Sequence, residues 1–166
     1  MKISVVAGNP KPQSRTLHAG CMLAEHLTGN KPSNILDLAE LGNGILEAAG
    51  KTLTEAMEGV LLSDLIIFAS PTYKASYTGL LKLFLDFLPA HSLRGKLAVP
   101  LMMGAAPHHA LAAEVFLKPV LVELGAQCPT PGLYLLDSRY EERDAFKGWL
   151  EQSRAAISLF DKEATS

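Results

Sequence analysis

Cysteine is scarce in this chain. Cys21 and Cys128 are the only two in 166 residues, and they form no C-x-x-C pair. That argues against a disulfide framework and a cysteine-built metal centre, and both residues read as buried or half-buried thiols. A basic surplus is missing too. Fifteen Lys and Arg against 17 Asp and Glu leave a formal net charge of -2, with no stripe for nucleic acid and no polybasic anchor for a membrane. Nor is there the strong acidity of a small electron carrier that docks on basic redox partners. Long apolar runs are absent. The opening run is ended by Gly8 and Pro10, too short for a signal-peptide core, so the chain reads as soluble and cytoplasmic.

What is there fits a folded core: 48% hydrophobic and 19% charged residues, at a length suited to one domain over 1–166. Ile3 to Ala7 is a continuous β-branched run, the mark of a strand covered on both faces. A helix is expected from Ser14 to about Leu27, with Leu17, Cys21, Ala24 and Leu27 on one face. A weak strand follows at Asn34 to Leu38, then a loop from Gly42 to Gly50 and a helix from Thr52 to Leu62. Asp64 to Ala69 is the strongest strand signal, and a helix from Thr78 to Leu88 comes after it. Leu97 to Met103 is a fourth strand in which Pro100 demands a bulge or a local stop in pairing. His109 to Leu124 reads as helix with a kink or a fresh turn at Pro119. A fifth strand interrupted by prolines is expected over Gln127 to Leu136, and a closing helix from Arg139 to Phe160. This alternation predicts an α/β fold: a three-layer α/β/α sandwich on a five-stranded parallel sheet of flavodoxin-like order 2-1-3-4-5.

In such a sheet ligands bind beyond the carboxyl ends of the strands. Three loops of unusual composition meet there. Residues 8 to 16 read G-N-P-K-P-Q-S-R-T, neither a dinucleotide fingerprint nor a Walker loop. They offer the Ser14 and Thr16 hydroxyls, Arg15 and the amides of a helix N-terminus, donors suited to a terminal phosphate. The plain alternative is that Ser14 only caps the helix. Residues 70 to 79 read S-P-T-Y-K-A-S-Y-T-G, placing Pro71, Thr72, Tyr73 and Lys74 at the rim of a pocket for a flat ring. Alternatively, Tyr73 and Tyr77 are ordinary half-buried aromatics and Lys74 a solvated charge. Residues 104 to 109 read G-A-A-P-H-H, where Gly104 and Ala105 allow close approach to the backbone. His108 and His109 have no Cys, Asp or Glu nearby to complete a metal site, so no metal is expected and a His borders the ring or its partner instead.

These segments resemble the NAD(P)H-dependent FMN reductases of the flavodoxin-like superfamily, in particular the reductase partners of two-component alkanesulfonate monooxygenases. The likeness runs from Met1 to about Asp137. It is carried by G-x-P-x-x-x-S-x-T (Gly8 to Thr16), S-P-T-Y-K-x-S-Y-T-G-x-L-K (Ser70 to Lys82), L-x-G-K (Leu93 to Lys96) and L-K-P-V-L (Leu117 to Leu121). The resemblance implies FMN as cofactor, with NADPH or NADH as hydride donor, C4 of the nicotinamide giving hydride to flavin N5. It implies that Ser14, Arg15 and Thr16 hold the phosphate, that Pro71, Thr72, Tyr73 and Lys74 border the ring and ribityl chain, and that Gly104 and Ala105 lie at the other edge. No catalytic side chain is implied, because the flavin carries the chemistry. A homodimer or homotetramer through the helices near 78–88 and 110–124 is implied as well, and a flavin-dependent monooxygenase as recipient of reduced FMN. Some relatives carry an inserted Tyr that makes a π-bulge in the fourth helix; Ala113 to Phe116 has none. The competing expectations are an FMN-retaining NAD(P)H:quinone or azo-compound reductase, and a flavodoxin-type electron carrier.

Overall fold

In the computed structural model, which describes residues 1–46 and 50–163, Ile3–Ala7 forms strand β1 with every side chain buried. Helix α1 (Arg15–Thr28) starts where the Ser14 hydroxyl accepts the Leu17 amide at 3.3 Å, and stops at Gly29, whose φ of 73° suits a residue without a Cβ. Strand β2 (Asn34–Asp37) leads into two 3-10 turns over Leu38–Leu46, broken at Gly42. This stretch reads as loop in the sequence; residues 47–49 of that loop lie outside the described residues. Helix α2 (Lys51–Leu61), strand β3 (Leu65–Pro71) and helix α3 (Gly79–Phe87) follow, then strand β4 (Leu97–Gly104). A short 3-10 turn (Pro107–His109) and a π-turn (Ala113–Leu117) precede helix α4 (Lys118–Glu123), strand β5 (Leu133–Leu136) and helix α5 (Lys147–Glu163).

The five strands are parallel in the order β2-β1-β3-β4-β5. Val5 lies between Ile35 and Ile67, and Ile67 between Val5 and Val99. Side chains alternate between two apolar layers. Val5, Ile67, Val99 and Leu101 pack with Leu23 of α1 and Trp149 of α5; Val6, Phe68 and Met102 pack with Leu53 of α2, Leu85 of α3 and Leu121 of α4. Consecutive helices α1 and α2 thus leave the sheet on opposite faces. The loops after β1 and β3 diverge for the same reason, and a crevice opens between them.

Four expectations are corrected or narrowed. The closing helix begins at Lys147 rather than Arg139, because 137–146 is a chain of turns in which the Arg139 guanidinium grips Glu142 at 2.8 and 2.7 Å. The fifth strand is only Leu133–Leu136; Gln127 makes an isolated bridge to Leu97, and Pro129 and Pro131 lack the amides a ladder requires. The β3–β4 ladder runs without a bulge through Pro100, opposite Phe68. The Leu97 amide points to β3 (Asp64 O, 2.9 Å) and the Ala98 amide to Gln127 O (2.9 Å). Alternation then aims the Pro100 nitrogen toward the β5 side, where pairing resumes only at Leu101–Leu133. The pairing stop exists on that side alone. Finally, the π-turn forms without the Tyr. Pro119 has no amide, and its ring would strike the carbonyl four residues back. The turn before it is wider, with the Lys118 amide reaching the Ala113 carbonyl.

Candidate functional site

Asn9 organises the first loop. Its Oδ1 accepts the Lys11 amide at 2.9 Å and its Nδ2 donates to Thr16 Oγ1 at 3.2 Å, an Asx-type turn that bends the chain back onto α1. Gln13 takes a left-handed φ of 50°, and its amide is fixed by the buried Asp37 carboxylate at 2.7 Å. That costs on the order of 1 kcal/mol for a non-glycine residue, and strain of this kind collects at binding loops. The result is a helix start whose Arg15 and Thr16 amides have no intrahelical acceptor. Ser14 and Thr16 are themselves buried.

The second loop is tied to the first by a short relay. Ser70 Oγ accepts the Thr78 amide at 3.0 Å, and Thr78 Oγ1 donates to the Gly8 carbonyl while accepting the Leu81 amide at 3.1 Å to cap α3. Gly8 must be glycine because a Cβ would lie 2.5 Å from Leu81 Cβ. Beyond Pro71, the chain makes a tight two-residue hairpin: Tyr73 and Ser76 exchange both backbone bonds, at 2.8 and 3.1 Å. Lys74 and Ala75 at its tip have φ of 51° and 65°, a conformation that normally selects Gly or Asn. The hairpin holds the Tyr73 ring 53% exposed over the crevice.

The third loop leaves β4 at Gly104. A Cβ there would collide with the Tyr134 hydroxyl, so this glycine answers to a protein neighbour and not only to an approaching ring. Tyr134 donates to the Ala106 carbonyl at 2.8 Å and fixes the loop, while burial pushes its phenol pKa upward. At the end of β5, Asp137 receives Arg15 twice: Nη1 to its carbonyl at 3.1 Å and Nη2 to its carboxylate at 3.3 Å.

These loops enclose one cleft of about 450 Å³. Of the residues singled out from the sequence, Ser14, Arg15, Thr16, Pro71, Thr72, Tyr73, Gly104 and Ala105 line it. Lys74 does not; it stands exposed at the hairpin tip. His108 and His109 are absent from the lining as well, and their rings pair with each other at 4.0 Å. Asn9, Gln13, Met103 and Asp137 line the cleft without having been singled out. Asn9 before a proline and Asp137 at a strand's carboxyl end carried a readable signal; the aim of Met103 did not. The Tyr73 amide is engaged by the Ser76 carbonyl and does not face the cleft as a free donor. A larger cleft of about 680 Å³, bordered by His26, Arg143, Lys147 and Arg154, lies beside the last turn of α1. Among the described residues no helix is long and apolar enough to cross a membrane, and no group of three His, Cys, Asp or Glu is placed to hold a metal.

The donor set suits a phosphorylated planar ligand. Helix-start amides, two hydroxyls and a guanidinium stand at one end, and Pro71, Tyr73 and Met103 offer apolar surface at the other. Comparison with known proteins agrees with that chemistry. The family model described as NADPH-dependent FMN reductase matches residues 1–141. The FMN reductase (NADPH) of Escherichia coli is 42% identical over 99 residues, covering 58% of this chain and 50% of that protein. The chain thus spans about half the length of that relative. The NADH-dependent FMN reductase SfnF of Pseudomonas putida is 31% identical over 142 residues, covering 81% and 76%. A solved NADH:FMN oxidoreductase, EMOB in its apo form, superposes with a TM-score of 0.83 at 30% identity over 98% of this chain and 89% of that one.

Proposed function

Because this chain belongs to the NADPH-dependent FMN reductase family, matched over residues 1–141, we propose that it is an NAD(P)H-dependent FMN reductase whose flavin site is the cleft at the carboxyl ends of β1, β3, β4 and β5. One observation carries the reading: the phosphate donors at the start of α1 and the flat surface of Tyr73 and Pro71 share a single cleft. When bound, FMN supplies the hydride acceptor, and a reduced nicotinamide is the donor. The chain's own residues bind and orient. The Arg15 and Thr16 amides, the Ser14 and Thr16 hydroxyls and the α1 dipole hold the phosphate. Pro71, Thr72 and Tyr73 border the ring and ribityl chain, and Gly104 and Ala105 form the opposite edge. Lys74, exposed at the hairpin tip outside the cleft, contacts the nicotinamide nucleotide rather than the flavin in this reading.

We read the assembly as a homodimer or homotetramer. Leu111, Val115, Phe116 and Val122 are 70%, 53%, 45% and 53% exposed along one stretch, on the same sheet face as α3 with its half-buried Leu80, Leu83 and Phe87. These exposed apolar side chains are the ones a second copy would cover. The free thiols fit a cytoplasmic location. A flavin-dependent monooxygenase is the proposed recipient of reduced FMN.

Steady-state oxidation of NADPH and of NADH, with FMN, FAD, riboflavin and a quinone supplied in turn, tests the reading. Saturable turnover with added FMN is the expected result. Quinone turnover with a flavin that never leaves the protein would favour the quinone reductase. No oxidation of either nicotinamide would leave an electron carrier.

A further inference from the structure

The pair that Arg15 makes with Asp137 has no evident structural need. It is exposed at 63% and 31% of the two side chains, α1 is already capped by Ser14, and β5 is already held by β4 and by the Asp137 amide bonding Gly104 O at 3.0 Å. Yet it sets a carboxylate into the lining of the cleft, beside the donors for a phosphate. A site built only for tight anion binding would not carry a fixed negative charge there.

We propose that Asp137 is an internal competitor for Arg15: its carboxylate occupies the guanidinium that a flavin phosphate would otherwise take, so that FMN binds loosely and exchanges during turnover instead of staying as a fixed prosthetic group. The inference rests on the reading of this cleft as the FMN site. Both terminal nitrogens of Arg15 are engaged by Asp137. Only the Nη2 contact is to the carboxylate, so a phosphate carrying about -1.5 to -2 charge competes with Asp137 for that arm of the guanidinium and bears the repulsion of the carboxylate beside it. Asp137 is thereby a residue that sets affinity and exchange, acting through Arg15. The specificity follows the phosphate: a flavin without one neither displaces nor meets the carboxylate.

The test is equilibrium binding of FMN and riboflavin, followed by flavin fluorescence, to wild type, Asp137→Asn, Arg15→Ala and the double variant. Asp137→Asn should tighten FMN roughly fivefold, the upper range for one partly exposed charge pair, and slow FMN release, with riboflavin unchanged. In the Arg15→Ala background the gain should shrink, because the contested group is gone. Unchanged or weaker FMN binding in Asp137→Asn would overturn the proposal, as would equal tightening of FMN and riboflavin, or a gain undiminished in the double variant. Asp137→Ser, compared with wild type by circular dichroism, repeats the test if the first variant folds poorly. Wild-type protein that binds no FMN would instead refute the assignment of the cleft, a separate failure.

Discussion

Replacing Thr78 is expected to loosen two of the three loops at once. Its side chain is 3% exposed, donates to the Gly8 carbonyl and accepts the Leu81 amide at 3.1 Å. Thr78→Val keeps the volume and removes both bonds. Loss of the α3 cap costs about 1 kcal/mol, and a buried carbonyl left without a partner costs about 1–3 kcal/mol more. The sum is roughly 2–4 kcal/mol. With a urea m-value of about 2 kcal/mol/M, mid-range for a small protein, the unfolding midpoint should fall by about 1–2 M while m stays unchanged. Thr78→Ser retains the hydroxyl and loses one methyl, about 0.8 kcal/mol. Urea unfolding followed by Trp149 fluorescence measures both. FMN affinity should fall with the valine variant and hold with serine, since Gly8 begins the phosphate loop. Equal destabilisation by the two substitutions would refute the relay, because the methyl and not the hydroxyl would then be what matters.

Ser14→Ala should lower stability by about 1 kcal/mol through the lost cap and weaken FMN while sparing riboflavin; an unchanged FMN affinity counts against the phosphate assignment. Ala75→Gly relieves a left-handed φ of 65° and should raise stability by about 0.5–1 kcal/mol, read from the same urea curves; a loss would mean the hairpin tip is unstrained. Phe116→Glu with Val122→Glu should shift sedimentation from oligomer to monomer, whereas an unaltered species would place the interface elsewhere. Burial pushes the Cys128 thiol up from 9.0 to about 11. The unfolded chain therefore loses this proton first as pH rises, and the stability that the neutral thiol contributes, fully present below pH 9.0, is lost through about pH 11. Cys128→Ala should flatten that part of the stability-versus-pH curve, and an identical slope would exclude the thiol as its source.

Much of the architecture was legible because the parallel strands are short, fully buried β-branched runs. Ile3–Ala7 matched residue for residue, and α1 and α3 lay within a residue or two of expectation because Ser14 and Thr78 signal their caps. Reading failed where tertiary contacts decide. Arg139 to Phe146 has helical composition, yet it runs as successive three-residue turns, Glu142 to Arg139, Ala145 to Glu142 and Lys147 to Asp144, with Tyr140 buried beneath them. At Ala113–Leu117 a downstream proline, not a marker residue, widens the helix. In the site, loop composition located the cleft. The two contacts that sequence spacing hides, Arg15 to Asp137 and Tyr134 over Gly104, join residues far apart in the chain.

A crystal structure of the protein soaked with FMN addresses the central claim most directly. The phosphate should sit within hydrogen-bond distance of the Arg15 and Thr16 amides, with the ring against Tyr73 and Pro71. Density for the phosphate in the other cleft, where Arg143, Lys147 and Arg154 stand with Asp144 and Glu151, would contradict it.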